Sequence, residues 1–274
     1  ADPREAYASG TALPDVVPGA AAPGAGAPLQ QANLWRDAWR RYVQNKGAVI
    51  AGGIFVAFVA FCVIWPIVSP YDVTNDPLNF SEAYETPSLE HPLGTDKLGK
   101  DMLTKLALGG RISIAIAVGA TLMILLIGVV YGSIAGFAGG VLDNIQMRLL
   151  DALYVLPYLP FAIIVLAIIG ENNIWTMVIA LSIASWFTAA RIVRGQIITL
   201  KENDYVRAAK AVGARWYRIL TRHLLPNTLG VLIIAIFLEL PGVILGEAFL
   251  SFIGLGISPP DASLGSMAQE GREV

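Results

Sequence analysis

ISIAIAVGATLMILLIGVVYGSIAGFAGGVL, from Ile112 to Leu142, runs without a charged residue. About 20 apolar residues in helical form cross the hydrocarbon core of a bilayer, so this stretch spans it with length to spare. Lipid offers no partner to an unpaired backbone N–H or C=O, and a helix satisfies those groups within the segment. Gly119, Gly128, Gly132 and Gly136 recur along it, a pattern that suits close packing of helix on helix. Working outward, Gly47–Tyr71, Ala152–Gly170 and Asn172–Ala190 are also uncharged, and Leu224–Phe252 is interrupted only by Glu239 and Glu247. The predicted fold is an all-α integral membrane protein, a polytopic helical bundle with five spans.

Composition agrees. Of 274 residues, 55% are hydrophobic and only 15% charged, against about 25% charged in a typical soluble protein. A net charge of -2 gives no basis for nucleic-acid binding. Cys62 is the single cysteine, so no disulfide forms within the chain and a thiolate metal site is disfavoured. Residues 1–33, rich in Ala, Pro and Gly, lack the basic start and apolar stretch of a signal peptide. They bury too little surface to offset their ordering entropy and read as a disordered tail.

The positions of Lys and Arg set the expected orientation. Arg36, Arg40, Arg41 and Lys46 precede the first span, and Arg148 lies between the second and third. Arg191, Arg194, Lys201, Arg207, Lys210, Arg215, Arg218 and Arg222 lie between the fourth and fifth. The opposite side carries Lys97, Lys100, Lys105, Arg111 and Arg272, balanced by a run of acids in the first loop. The N-terminus and the loop between spans four and five are therefore expected in the cytoplasm. His91 and His223 then fall on opposite sides, which rules out a metal site shared between them. Just before the first span, LWRDAWRRYVQNK (34–46) interleaves Trp35, Trp39 and Tyr42 with arginines. Two readings fit: an amphipathic helix lying in the membrane interface, or an extension of the first span.

The loop ENDYVRAAKAVGARWYRILTRHLLPN (202–227) is the most informative polar segment. Asp204 is placed to cap a helix, Val206–Val212 is rich in helix formers, and Gly213 is placed to end it. A second stretch, Arg215–Leu225, sets aromatic and aliphatic residues against arginines, and Pro226 marks the expected start of the fifth span. Ala208, Ala209 and Gly213 give a small-residue face that another backbone can approach.

This segment resembles the cytoplasmic loop of type I ABC importer permeases. The family pattern is Glu-Ala-Ala, three residues, Gly, nine residues, then Ile, any residue, Leu and Pro. Here Ala208, Ala209, Gly213, Leu225 and Pro226 match at the same spacing, with Arg207 in place of the Glu and His223 in place of the Ile. HPLGTDKLGKDMLTKLALGGRIS (91–113) and GEAFLSFIGLGISPPDASLGSM (246–267) are similar to segments of the C-type membrane subunit of oligopeptide and dipeptide importers. Lys100 stands there where Arg is common, and Leu264 where Trp is usual. The resemblance runs from Trp35 to the C-terminus in separated motifs.

The resemblance implies a bacterial plasma (inner) membrane permease whose loop helix docks on a nucleotide-binding subunit. ATP-driven closure of two such subunits then tilts the spans and opens the pathway to each side in turn. Asp204, Tyr205, Arg207, Ala208, Ala209 and Gly213 are the residues it assigns to the coupling helix, within a coupling loop over 199–226. The organisation expected is the tail (1–33), the amphipathic helix (34–46), the first span with its outer loop (47–110), and a permease core (111–274). The partners implied are a homologous second permease subunit, two nucleotide-binding ATPase subunits holding ATP and magnesium, and an extracytoplasmic peptide-binding protein. The lipid bilayer is the solvent, no cofactor is expected on this chain, and a sixth span is expected after GISPPDASLGSM. GTDKLGKD (94–101), the nearest approach to a phosphate-binding loop, follows its Gly-Lys with Asp101 rather than Ser or Thr. The chain is thus not expected to be an enzyme.

Glu239, beside Pro241 and Gly242, is an intramembrane carboxylate of the kind that faces a cavity or a partner. It reads either as a pathway-lining group or as a packed, protonated or hydrogen-bonded Glu. Glu247 is expected to touch the outer loops. Asp143 and Asp151, flanking Arg148, suit capping and pairing. A related importer for nickel or another small solute is the alternative function. A secondary transporter explains only the spans and calls for paired charges or broken repeats, and a membrane enzyme needs a convergent catalytic set.

Overall fold

The computed structural model describes residues 34–73, 79–257 and 261–272; the tail expected over 1–33 lies outside them. Among the described residues regular structure is helical, apart from one antiparallel bridge between Thr95 and Asp101. The chain divides into two compact units, one ending at Ile54 and the other starting at Phe55. In the first, α1 (Leu34–Gln44) stops one residue before α2 (Lys46–Val68) begins. The Asn45 side chain accepts a hydrogen bond from the Ala48 N–H at 3.2 Å, an N-cap that starts a new helix. α1 is thus a helix of its own. α2 is apolar on every side, as a helix surrounded by lipid is.

α3 (Met102–Ala138) starts ahead of the uncharged run because Asp101 caps it. That carboxylate accepts from the Thr104 N–H and hydroxyl at 2.8 and 2.7 Å. Gly139, at φ +66°, ends the helix. The third expected span, over 152–170, falls on a bent pair of helices. α4 (Gly140–Tyr154) and α5 (Tyr158–Ile169) meet at 92°, because Pro157 biases the residue before it away from the α conformation. α5 has 12 residues, about 18 Å of helix, too little to cross alone. α6 (Ile174–Lys201) runs past the expected end at Ala190 and carries Arg191 and Arg194 within it. Arg191 pairs with Asp151 at 2.7 Å, and Arg194 grips Asp143 at 2.5 and 2.6 Å. The two acids near Arg148 are thus pairing groups.

α3 lies against α6 along the glycine stripe. A Cβ at Gly132 would sit 2.3 Å from the Ala190 carbonyl oxygen, and one at Gly128 would sit 2.5 Å from Ala189 Cβ. Neither position has room for a side chain, so the glycines set how closely the two helices approach. α8 (Trp216–Ile219), a π-helical turn (Leu220–Leu224) and α9 (Leu225–Phe252) follow one another without a break. Pro226 stands in the first turn of α9, as expected, and the widened turn before it runs into that helix without a break. Four helices are long and apolar enough to cross a membrane, and the bent α4–α5 pair makes a fifth if it is one span.

The end of the bundle opposite the 202–227 loop carries a polar cap. The run resembling a phosphate loop turns its backbone donors on Asp96, which accepts from the Leu98 and Lys100 N–H groups at 2.8 and 2.9 Å. Lys105, on α3, gives 2.6 Å bonds to Asp96 and to Glu270 of α10 (Leu264–Arg272). Burial alone would raise the Asp96 pKa, but Lys105 and the two N–H groups outweigh it and hold the carboxyl below the ordinary aspartate range. His91 lies 3.0 Å from Asp101 through Nδ1.

Candidate coupling loop and intramembrane site

The loop helix is short and held from one side. α7 spans Asp204–Ala211. Asn203, not Asp204, is its N-cap residue, and Asp204 stands in the first turn, where its charge favours the positive end of the helix dipole. Val206 is fully buried among Val193 and Ile197 of α6, Leu220 and Leu224 of the π turn, and Leu232 of α9. At the other end the backbone closes a Schellman motif. The Ala214 N–H reaches Ala209 O at 3.0 Å, the Gly213 N–H reaches Lys210 O at 2.9 Å, and Gly213 takes φ +78°. A side chain there has free space but carries the left-handed penalty, about 1–2 kcal/mol.

The residues expected on the coupling face are not all on one side. Asp204, Tyr205, Arg207, Ala208 and Gly213 are exposed, whereas Ala209 turns inward and packs on the Val206 cluster. The small-residue face is therefore split between contact with the bundle and open surface. Arg207 reaches Glu202 at 3.5 Å, an exposed pair of little energetic weight. Val212, 85% exposed, projects beside Gly213. Behind α7, Lys201 donates to Gly136 O at 2.9 Å, Lys210 lies 5.9 Å from the Phe137 ring, and Trp216 packs on Phe137. The loop is thereby braced on the end of α3. Sequence reasoning missed this brace and the anchoring role of Val206. The one aliphatic side chain in the first turn of an otherwise polar helix was the available signal.

Within the bundle, half-buried Glu239 lies midway along α9 and borders two cavities, of about 150 and 430 Å³. Thr121 and Thr188 share the smaller; Tyr158, Ser185 and Thr188 share the larger. Glu247 is fully buried and is satisfied by hydroxyls: Ser113 of α3 donates at 2.9 Å and Ser251 at 2.7 Å. Ser113 links it to the cap segment, its oxygen accepting from the Leu264 N–H at 3.2 Å. No group of three or more His, Cys, Asp or Glu side chains that could hold a metal occurs among the described residues.

Several apolar spans, a compact loop helix braced on two of them, and a mid-span carboxylate at a cavity describe a transport permease. The chain belongs to the family of binding-protein-dependent transport system inner membrane components, whose pattern it matches over residues 128–272. Residues 33–87 match the N-terminal TM domain of oligopeptide transport permease C. The dipeptide transport system permease protein DppC of Bacillus subtilis (strain 168) is 44% identical over 238 residues, covering 86% of this chain and 73% of that protein. The oligopeptide transport system permease protein OppC of the same organism is 41% identical over 239 residues, covering 87% and 77%. The glutathione transport system permease protein GsiD of Pectobacterium atrosepticum is 36% identical over 239 residues, covering 87% and 78%. The chain is a membrane permease of the ATP-binding-cassette importer type, in a family that works with ATPase and binding-protein partners.

Proposed function

We propose that this chain forms half of the translocation path of a peptide importer, paired with a homologous second permease subunit. Two separate nucleotide-binding subunits, which hold ATP and magnesium, drive it, and an extracytoplasmic peptide-binding protein delivers the substrate. The observation that carries this reading is α7: a helix anchored by Val206 and ended at Gly213, with its polar face open for a partner. Asp204, Tyr205, Arg207, Ala208 and Gly213 present that face, and Ala209 ties it to the spans. The basic residues flanking the spans favour a cytoplasmic side for this loop and the N-terminus, and the interleaved aromatic and basic residues of α1 favour the interface of a bacterial inner membrane. Relatives named for dipeptides, oligopeptides and glutathione share peptide chemistry, which favours peptides over nickel or other small solutes. Glu239 lines the path.

The test is Gly213→Val in the assembled importer, reconstituted with all its partners. The expected result is copurification with both nucleotide-binding subunits and continued ATP hydrolysis, with peptide uptake reduced at least about tenfold, since the left-handed penalty tilts the loop away from its docking geometry. Unchanged peptide uptake overturns the coupling role, and uptake by the permease subunits alone overturns the dependence on an external motor.

A further inference from the structure

Glu239 is a carboxyl that nothing nearby answers. It sits midway along α9, about 20 Å of helix from either end, the depth at which an ionised carboxylate costs most. Among the described residues no hydrogen bond or ion pair reaches it, and no Lys, Arg or His lines either cavity it borders. The arginines of neighbouring α6 are already taken: Arg191 by Asp151 and Arg194 by Asp143. Glu247, on the same helix, shows the contrast, since two serine hydroxyls satisfy it inside the protein.

The cavities also hold unused hydroxyls. Thr121 Oγ1, beside the smaller one, is buried with no hydrogen-bond partner. Tyr158 Oη, beside the larger one, is buried and makes no hydrogen bond of good geometry, although Ser185 is its neighbour. Buried polar groups without partners are costly and few. Here each borders a cavity that Glu239 shares, so the carboxylate faces one such hydroxyl across each of two cavities, with no cation lining either.

We propose that this pocket is a transit subsite for a primary ammonium group, with Glu239 as its counter-charge and the hydroxyls of Tyr158, Ser185 and Thr188 as acceptors for its N–H bonds. The inference rests on the peptide reading above, and the ammonium is then the free N-terminus of the peptide in passage. An ammonium has three donors and no acceptor, which matches a site of oxygens with one negative charge. The pocket of about 430 Å³ holds the first residue of a peptide rather than a whole chain, so recognition is of the terminus and tolerates varied side chains.

The experiment compares the complete importer in proteoliposomes with its Glu239→Gln and Tyr158→Phe variants. Each receives the same saturating binding protein loaded with a tripeptide or with its N-acetylated form. Because the binding protein is common to all, its own preference cancels when uptake ratios are compared between complexes. Expected is a preference for the free amine that falls about tenfold in Glu239→Gln, the scale of one charge-assisted hydrogen bond, and a few-fold in Tyr158→Phe. Subunit copurification confirms that both variants assemble. An unchanged ratio in Glu239→Gln, whatever its absolute rate, overturns the subsite and leaves a proton as the counter-charge. A wild-type complex that hydrolyses ATP but moves neither peptide overturns the peptide reading itself, and this inference with it.

Discussion

The two ends of the bundle are held by opposite means. At the cap end, Lys105 is 6% exposed and bonds buried Asp96 and part-exposed Glu270 at 2.6 Å each, which fixes α10 to α3. At the loop end, α7 is held chiefly by one aliphatic side chain, Val206, and by backbone hydrogen bonds at its glycine terminus. Its own ion pair is exposed and long. Buried charges are specific to position and intolerant of displacement, because each depends on its partner. Apolar contact is non-directional and permits small tilts. The difference suits the coupling role proposed for α7, with a fixed element at the other end.

The comparison can be broken at either end. The largest effect is expected from Lys105→Met, which leaves Asp96 buried without the ammonium that bonds it. The loss is about 3–5 kcal/mol, read as a lowered melting temperature of the purified complex; a melting temperature unchanged from wild type would mean that the network adds nothing. Val206→Ala should cost about 2 kcal/mol and act locally. Protease cutting between 202 and 215 should accelerate while global melting shifts less than in Lys105→Met, and equal shifts in both variants would erase the distinction between the two ends. Arg207→Ala should change melting by less than about 0.5 kcal/mol. A larger change would show that the exposed Arg207–Glu202 pair anchors α7 after all.

Much of this was legible in the chain itself. The spans announced themselves because lipid demands long uncharged helices, and the glycines of 119–136 announced a close helix contact because a side chain there cannot fit. Gly213 ended its helix as read, since the αL position of a helix terminus selects glycine. What was not legible fell where tertiary partners alter local rules. Hydropathy located a span over 152–170 but not the bend at Pro157. α6 outran its apolar stretch because Asp151 and Asp143, distant in sequence, neutralise its arginines. Pro226 stands in the first turn of α9 as read, but the π turn that joins that helix to α8 was not legible.

The candidate coupling site divided in the same way. Residue type and spacing located α7, its glycine and the residues of its open face. That Ala209 faces the bundle, that Val206 is the anchor and that Phe137 of α3 braces the loop depend on which elements pack together. Glu239 and Glu247 are chemically alike and eight residues apart on one helix. Sequence by itself determined that both lie within the membrane. Only the tertiary structure decided that Glu247 meets Ser113 and Ser251 while Glu239 meets open cavities, because a carboxylate's role follows from the groups that other helices bring to it.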